Sequence, residues 1–331
     1  MEKLEEVKRK GEVLLLQLPM VLTPYEKELS QRFQLLKAWD FPIPTTQFLS
    51  THATSIQAIL ISASIPLTAE ILRLLPSLRI VVTTSTGVNH IDLLECHRRG
   101  IAVANAGSVL SEDVADGAVG LLIDVMRKIT ASGRYIRSGL WPTKGDYPLG
   151  SKISGKHVGI IGLGNIGMEI AKRLHAFGCI ISYNSRKKKP LVDYTFYPNV
   201  LELAANCSIL VICCGLTDKT HHMINKEVLS ALGKDGVIVN IARGAIIDEK
   251  ELVHALIHGD IAGAGLDVFE KEPLVPKELF EMDNVVLQPH HTACTEEAFL
   301  DLYEHACKNL EAFFANKPLP APVGDEWVND G

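Results

Sequence analysis

The chain has 331 residues, 47% of them hydrophobic and 22% charged, and a net charge of −6. This is the composition of a globular protein, and the length suggests two domains that each bury a core. The acidic balance gives no basic footprint for nucleic acid, and the apolar runs are broken by Asp or Gly well short of a membrane span.

Met1 to Lys10 mix acids and bases, unlike a secretory signal or an acid-poor transit peptide. Glu12 to Gln17, Ala58 to Ser62, Arg79 to Thr84 and Ile101 to Ala104 read as strands, and Tyr25 to Trp39 and Thr68 to Leu75 as helices. Ser111 looks like an N-cap, with Glu112 and Asp113 in the first turn, where acids suit the helix dipole. That helix is expected to run through Val114, Leu121, Leu122, Val125 and Ile129 and to lead into a second domain.

The second domain opens on His157-Val-Gly-Ile-Ile161, then Gly162-Leu163-Gly164-Asn165-Ile166-Gly167, then a helical run from Met168 to Phe177. This strand–glycine–helix context gives G-x-G-x-x-G its meaning as a dinucleotide site. Gly162 permits the tight turn, Gly164 lets backbone approach a pyrophosphate, and Gly167 lets helix and strand pack closely. The helix N-terminus then offers N–H groups and positive dipole to the phosphates. Further strand signals follow at Cys179 to Tyr183, Ser208 to Cys213, Gly236 to Ile241, Gly263 to Phe269 and Asn284 to Gln288. Six short apolar runs alternating with helices imply a parallel, doubly wound sheet of strand order 3-2-1-4-5-6. An amphipathic run from Glu296 to Phe314 is expected to return the chain to the first domain. The expected architecture is α/β: two parallel-sheet domains, Rossmann-like and flavodoxin-like, with a cleft between them. Residues 1–107 and 299–331 form the substrate domain, and 108–298 the dinucleotide domain.

Three successive strands of the second domain deliver charged side chains to their carboxyl ends. Strand four, counting six, ends in Asn240-Ile-Ala-Arg243 and is expected beside the crevice where strand order reverses. Strand five ends in Asp267-Val-Phe-Glu-Lys-Glu272-Pro, and strand six in Pro289-His290-His291. An Arg, an Asp, a Glu and a His on one rim form a more specific signal than any one of them.

With Asn240-Ile-Ala-Arg-Gly-Ala-Ile-Ile-Asp248, Gly263-Ala-Gly-Leu-Asp-Val-Phe269, Glu272-Pro273, Leu287-Gln-Pro-His290, Gly87-Val-Asn-His-Ile-Asp92 and Asp113-Val-Ala-Asp-Gly-Ala118, the chain resembles the D-2-hydroxyacid dehydrogenase family over most of its length. Within that family it is most similar to the plant glyoxylate/hydroxypyruvate and hydroxyphenylpyruvate reductases. The resemblance implies reduction of small 2-oxo acids by a nicotinamide cofactor. Arg243 suits a carboxylate clamp that also polarises the ketone, because its planar fork binds carboxylates in two places. His290 suits proton donation, since imidazole titrates near neutral pH, and Glu272 suits holding that imidazole. The family pattern sets the acid directly after Pro, which selects His290 over His291 and, before Pro273, Glu272 over Glu270. Ile241, Ala242 and Asp267 are implied at the cofactor, Asp267 at the nicotinamide amide. Thr86-Gly87 reads either as a backbone cradle for the substrate carboxylate or as a simple turn. Trp141 reads either as lining for the substrate pocket or as an anchor in a dimer arm. His221-His222 reads as structural.

Cofactor choice is legible about 20 residues past the glycines, where NAD sites hold an acid for the ribose hydroxyls. Here stand Asn184, Ser185, Arg186, Lys187 and two further lysines, with no acid. That suits the 2′-phosphate of NADP, with NAD also possible; the bland alternative is a solvated basic loop. The competing functions are a dinucleotide-regulated corepressor, set back by the lack of a disordered tail or basic signal, and an NAD-linked dehydrogenase, set back by the missing acid. Seven scattered cysteines without metal-ligand spacing read as reduced thiols, so no metal and a cytoplasmic setting are expected. Val328-Asn-Asp-Gly331 is no peroxisomal tripeptide. The resemblance further implies a homodimer built on about 111–148.

Overall fold

A computed structural model describes residues 11–324. The stretches 1–10 and 325–331, assigned from the sequence to the first domain and read there as carrying no targeting signal, lie outside the described residues. The chain divides into two compact units, Met1–Leu110 with Thr295–Gly331, and Ser111–Cys294.

In the first unit, β1 (Glu12–Leu15), β2 (Gln34–Lys37), β3 (Ala58–Ile61), β4 (Ile80–Thr83) and β5 (Ala102–Ala104) form a parallel sheet ordered β2-β1-β3-β4-β5. Successive residues of a strand face opposite sides. Accordingly Val13, Leu15, Leu60, Ile80 and Val82 pack with Tyr303, Ala306, Cys307 and Leu310 of helix Glu296–Phe314. Leu14, Ile59, Ile61 and Val81 pack on the other face with Phe48, Leu49 and Leu72. A sheet covered on both faces reads as unbroken apolar runs, which is why β3 and β4 were visible in the sequence. β2 was not. The expected helix from Tyr25 to Trp39 covers only Glu26–Arg32, and Gln34–Lys37 then pairs in parallel register with Glu12–Leu15. This edge strand is half-buried, so it lacks the fully apolar signature of its neighbours.

In the second unit, β6 (His157–Ile161), β7 (Ile180–Asn184), β8 (Thr195–Phe196), β9 (Ile209–Ile212), β10 (Val237–Asn240), β11 (Gly263–Leu266) and β12 (Val285–Leu287) form a parallel sheet ordered β12-β11-β10-β9-β6-β7-β8. Numbered within the unit this is 3-2-1-4-5-6-7. The two-residue β8 takes the third place, so the strand beside β6 at the reversal is β9. β10, which carries Arg243, lies one strand further out than expected. The helix expected from Ser111 through Ile129 stops at Arg127. Lys128 is left-handed, with φ of 56°, and a second helix, Ile129–Arg137, begins beyond it. Asp124 secures the break by accepting the Thr130 N–H at 2.7 Å and the Thr130 hydroxyl.

Candidate functional site

The glycine loop joins β6 to helix Asn165–Ala176. Gly162 has φ of 97°, and a Cβ there would stand 2.6 Å from the Cys214 nitrogen. A Cβ on Gly167 would stand 2.1 Å from the Gly162 oxygen. Both positions therefore require glycine. Gly164 faces open space and, as N-cap, has no side chain to occupy the first N–H groups of the helix. Those groups have no carbonyl partner within a helix, so the loop presents backbone donors to a phosphate. Leu163 is buried, Asn165 is exposed and Ile166 is intermediate. The Cys213 thiol donates to the Gly162 carbonyl at 3.0 Å and so braces the loop. This donor set fits a dinucleotide diphosphate.

At the end of β7, Asn184 donates its side-chain amide to the Tyr197 carbonyl at 2.9 Å. The Ser185 hydroxyl donates to the Lys187 carbonyl at 2.7 Å. A hydroxyl has one proton, so in this turn the serine's is committed to backbone rather than offered outward. Arg186, Lys187, Lys188 and Lys189 are exposed.

Beyond β10, Asn240 is almost wholly buried and braces the turn that follows. Its oxygen accepts the Ala242 N–H at 3.1 Å, and its amide donates to the Arg243 carbonyl at 3.0 Å. Ile241 and Ala242 are buried; the Arg243 guanidinium donates to the Ala242 carbonyl at 2.7 Å. Burial lowers the guanidinium's pKa against a raising pull from Glu272, and arginine remains charged. Gly244 lies directly on the loop after β11: a Cβ would be 1.9 Å from the Phe269 carbonyl carbon. No signal in the sequence marked this glycine beyond its place in the motif.

Glu272 lies in that loop. One carboxylate oxygen accepts the Phe269 N–H at 3.1 Å; the other accepts from His290 Nδ1 at 2.8 Å. Burial pushes the carboxyl up, but the His290 hydrogen bond and charge, the Phe269 amide and Arg243 together pull harder, and it lies below the ordinary glutamate range. An ionised carboxylate can only accept, so Nδ1 carries the proton and Nε2 is the imidazole nitrogen left for chemistry.

His290 itself sits in the left-handed region, with φ of 55°. Such conformations persist at a non-glycine residue only where the surroundings over-determine them. Asp267 supplies the constraint. Its carbonyl accepts the His290 N–H at 2.7 Å. Its buried carboxylate accepts the His291 N–H at 2.6 Å, the Thr292 N–H at 3.3 Å and the Thr292 hydroxyl at 2.7 Å. Thr292, which the sequence did not single out, packs on Gly117, where a Cβ would be 2.7 Å from its Cγ2. His291 uses its backbone here and its side chain does not join the Glu272 pair. His222 stacks on His221 at 4.0 Å, with Nε2 3.5 Å from a Glu270 oxygen, so this pair borders the Glu272 loop.

In the first unit, Thr86 and Gly87 follow β4. The Asn105 amide donates to the Thr86 carbonyl at 2.7 Å, and the Asn105 oxygen accepts the Gly107 N–H at 3.0 Å. His305 Nε2 donates to the Asn105 carbonyl at 3.1 Å, and burial lowers the His305 pKa, which keeps the ring neutral. A trans peptide points its N–H opposite its C=O, so the hold on the Thr86 carbonyl aims the Gly87 N–H. Trp141 is 56% exposed in the short helix Trp141–Lys144, with Nε1 donating to Asp146 at 3.4 Å. Among the described residues, no helix is long and apolar enough to cross a membrane, and no cluster of three or more His, Cys, Asp or Glu side chains suits a metal ion.

Residues 119–292 match the family described as D-isomer specific 2-hydroxyacid dehydrogenase, NAD binding domain. The chain is 53% identical over 312 residues to the glyoxylate/hydroxypyruvate reductase HPR3 of Arabidopsis thaliana, covering 94% of this chain and 97% of the relative. It is 48% identical over 301 residues to the hydroxyphenylpyruvate reductase of Plectranthus scutellarioides, covering 91% and 96%. Its fold is similar to that of the NADPH-dependent glyoxylate/hydroxypyruvate reductase of Sinorhizobium meliloti, solved in complex with NADP and malonate, at TM-score 0.87 and 33% identity, covering 96% and 97% of the two chains.

Proposed function

Because the chain belongs to the D-isomer specific 2-hydroxyacid dehydrogenase family, we propose that it reduces small 2-oxo acids, namely glyoxylate, hydroxypyruvate and hydroxyphenylpyruvate, to D-2-hydroxy acids with NADPH. The observation that carries this is the 2.8 Å His290–Glu272 pair on the same rim as Arg243. The activities named for its plant relatives and for the Sinorhizobium meliloti enzyme support it.

The nicotinamide supplies the hydride when bound. The rest falls to side chains. Arg243 pairs with the substrate carboxylate and draws electron density toward the ketone oxygen, a role its fork-shaped cation fits. His290 delivers the proton from Nε2 to that oxygen as it becomes a hydroxyl, while Glu272 holds Nδ1–H and the imidazolium charge. Gly162 to Gly167 hold the diphosphate, Ile241 and Ala242 border the cofactor, and Asp267 is assigned to the nicotinamide amide on the family resemblance. Ser185, Arg186 and Lys187 form the 2′-phosphate turn. Thr86 and Gly87 offer amides to the substrate carboxylate, and Trp141 lines the substrate pocket or a dimer arm. On this reading 108–298 is the dinucleotide domain, and 1–107 with 299–331 the substrate domain.

A homodimer through 111–148 fits the exposure of Ile129, Ile136 and Trp141 on that arm. A cytoplasmic setting fits seven free thiols. Light scattering on the purified protein checks the dimer.

The deciding experiment assays the three 2-oxo acids with NADPH and with NADH. We expect turnover with at least one acid and a kcat/KM about 10- to 150-fold higher with NADPH, the range of one charge-assisted hydrogen bond. No turnover with any acid, or a preference for NADH, overturns the assignment.

A further inference from the structure

The basic turn after β7 is a closed structure, and the group that closes it is buried in the sheet. Tyr183 is wholly buried in β7. Its ring packs against Phe196 of β8, with centroids 5.4 Å apart, and its hydroxyl accepts the Lys189 N–H at 2.8 Å. The chain thus leaves β7 at Asn184, passes through Ser185 to Lys188, and is tied back to the strand it left. A second tie, Ser185 hydroxyl to Lys187 carbonyl, fixes the tip. On the far side, the Tyr197 N–H donates to the Tyr183 carbonyl at 2.8 Å, so the strand that anchors the turn is itself anchored.

We propose that the Tyr183 hydroxyl is a positioning group for cofactor choice: it holds the 185–189 turn in the shape that presents Arg186 and Lys187 to a ribose 2′-phosphate. This rests on the NADPH assignment above. Packing in the sheet needs only the ring, which phenylalanine would supply equally well. The oxygen adds one thing, the bond to Lys189. Ordering a loop before the ligand arrives removes that cost from binding, and the gain falls only on a ligand that touches the loop. The ribose hydroxyls of NADH and the diphosphate common to both cofactors make no such demand on the turn. Because the Ser185 proton is committed to Lys187, the cations carry the phosphate, and their placement depends on the backbone that Tyr183 ties down.

The test compares wild type, Tyr183→Phe, Arg186→Ala and the double variant. Calorimetry measures binding of adenosine 2′,5′-bisphosphate and of AMP to each protein without cofactor, and kinetics gives KM and kcat for NADPH and NADH. Tyr183→Phe is expected to weaken the bisphosphate and raise the NADPH KM by about 2- to 12-fold, the worth of one neutral hydrogen bond. AMP binding, the NADH KM and kcat at saturation stay within about twofold of wild type, an interval narrower than that hydrogen bond. In the Arg186→Ala background the effect of Tyr183→Phe shrinks, since the turn has lost the group being positioned. A wild type that binds both probes alike overturns the NADPH assignment, and this inference with it. A discriminating wild type with an equally discriminating Tyr183→Phe overturns the inference alone. So does a Tyr183→Phe that weakens both probes equally, or one whose effect persists undiminished without Arg186. Thermal unfolding of each variant separates these outcomes from a general loss of fold.

Discussion

The two units of this chain share one plan, a parallel sheet with helices on both faces, yet their strand ends carry different chemistry. The second unit ends β10, β11 and β12 in charged side chains: Arg243, Asp267, Glu272 and His290. The first unit ends β4 in Thr83-Thr84-Ser85-Thr86-Gly87, which offers hydroxyls and backbone amides. The bracing differs to match. In the second unit the carboxylates are compensated, buried Asp267 by two amides and a hydroxyl, part-exposed Glu272 by His290 and an amide. In the first unit the Thr86 carbonyl is held by the Asn105 amide, and the Asn105 carbonyl in turn by a neutral histidine, His305. On the proposed reading, charge serves the ketone at the moment of reaction, and the neutral dipoles of the first unit help hold a carboxylate that stays unchanged. The contrast teaches that one fold can carry charged groups or neutral dipoles at its strand ends; under the proposed function these become a reactive rim and a passive one.

The contrast breaks first at His290. His290→Ala is expected to lower kcat by about 100- to 10,000-fold, the usual worth of a positioned general acid. His291→Ala, which removes a ring outside the Glu272 pair, stays near wild type in the same assay. Equal losses in the two variants would contradict the assignment.

Arg243→Ala comes next. Loss of a charge-assisted clamp on a developing oxyanion is expected to cost about 100- to 1,000-fold in kcat/KM. NADPH affinity, measured by fluorescence titration, changes little. A variant with normal kcat/KM rules out the clamp.

The first unit answers with a smaller number and in a different parameter. Asn105→Ala frees the Thr86 carbonyl and unaims the Gly87 N–H. A neutral bond of this kind is worth about 2- to 12-fold, seen in the KM for the 2-oxo acid rather than in kcat. If kcat falls instead, this loop takes part in the reaction and the two rims are less distinct than they look.

The smallest effect tests the charged pair through stability. The Glu272 carboxyl lies below the ordinary glutamate range, so its contribution is present above the unfolded-state pKa and is lost as pH falls through the folded-state value. Glu272→Gln should therefore unfold at a lower temperature than wild type near neutrality, and the gap should close below the ordinary glutamate range. The carboxylate is 36% exposed, so solvent screening holds the difference to about 1 kcal/mol or less, or about 2–4 °C in Tm. A gap that widens in acid reverses the sign and refutes the pairing.

How much of this was legible in the sequence follows the same division. Strands buried on both faces announce themselves as apolar runs, and charged residues next to Pro or Gly stand out in a motif. β2 and β8 did not: one is a half-buried edge, the other two residues long, and overlooking β8 shifted the place assigned to β10. Arg243 and a Glu and a His beside it could be proposed from type and position, and the family resemblance selected Glu272 over Glu270 and His290 over His291. Asn105, Thr292, Gly244 and Tyr183 could not, because their roles depend on atoms brought close from residues that are distant in the chain or that fold back on themselves. A glycine that forbids a methyl group looks, in one dimension, like any other glycine.

That last property has a consequence for anyone remodelling the protein. With Gly244 set against the Phe269 backbone, the segments bearing Arg243 and Glu272 form one welded block. The spacing of these two segments is then set by backbone contact rather than by the loops around them. The same weld is a point of fragility. Gly244→Ala asks two main chains to separate and disturbs the segments bearing Arg243 and Glu272 at once.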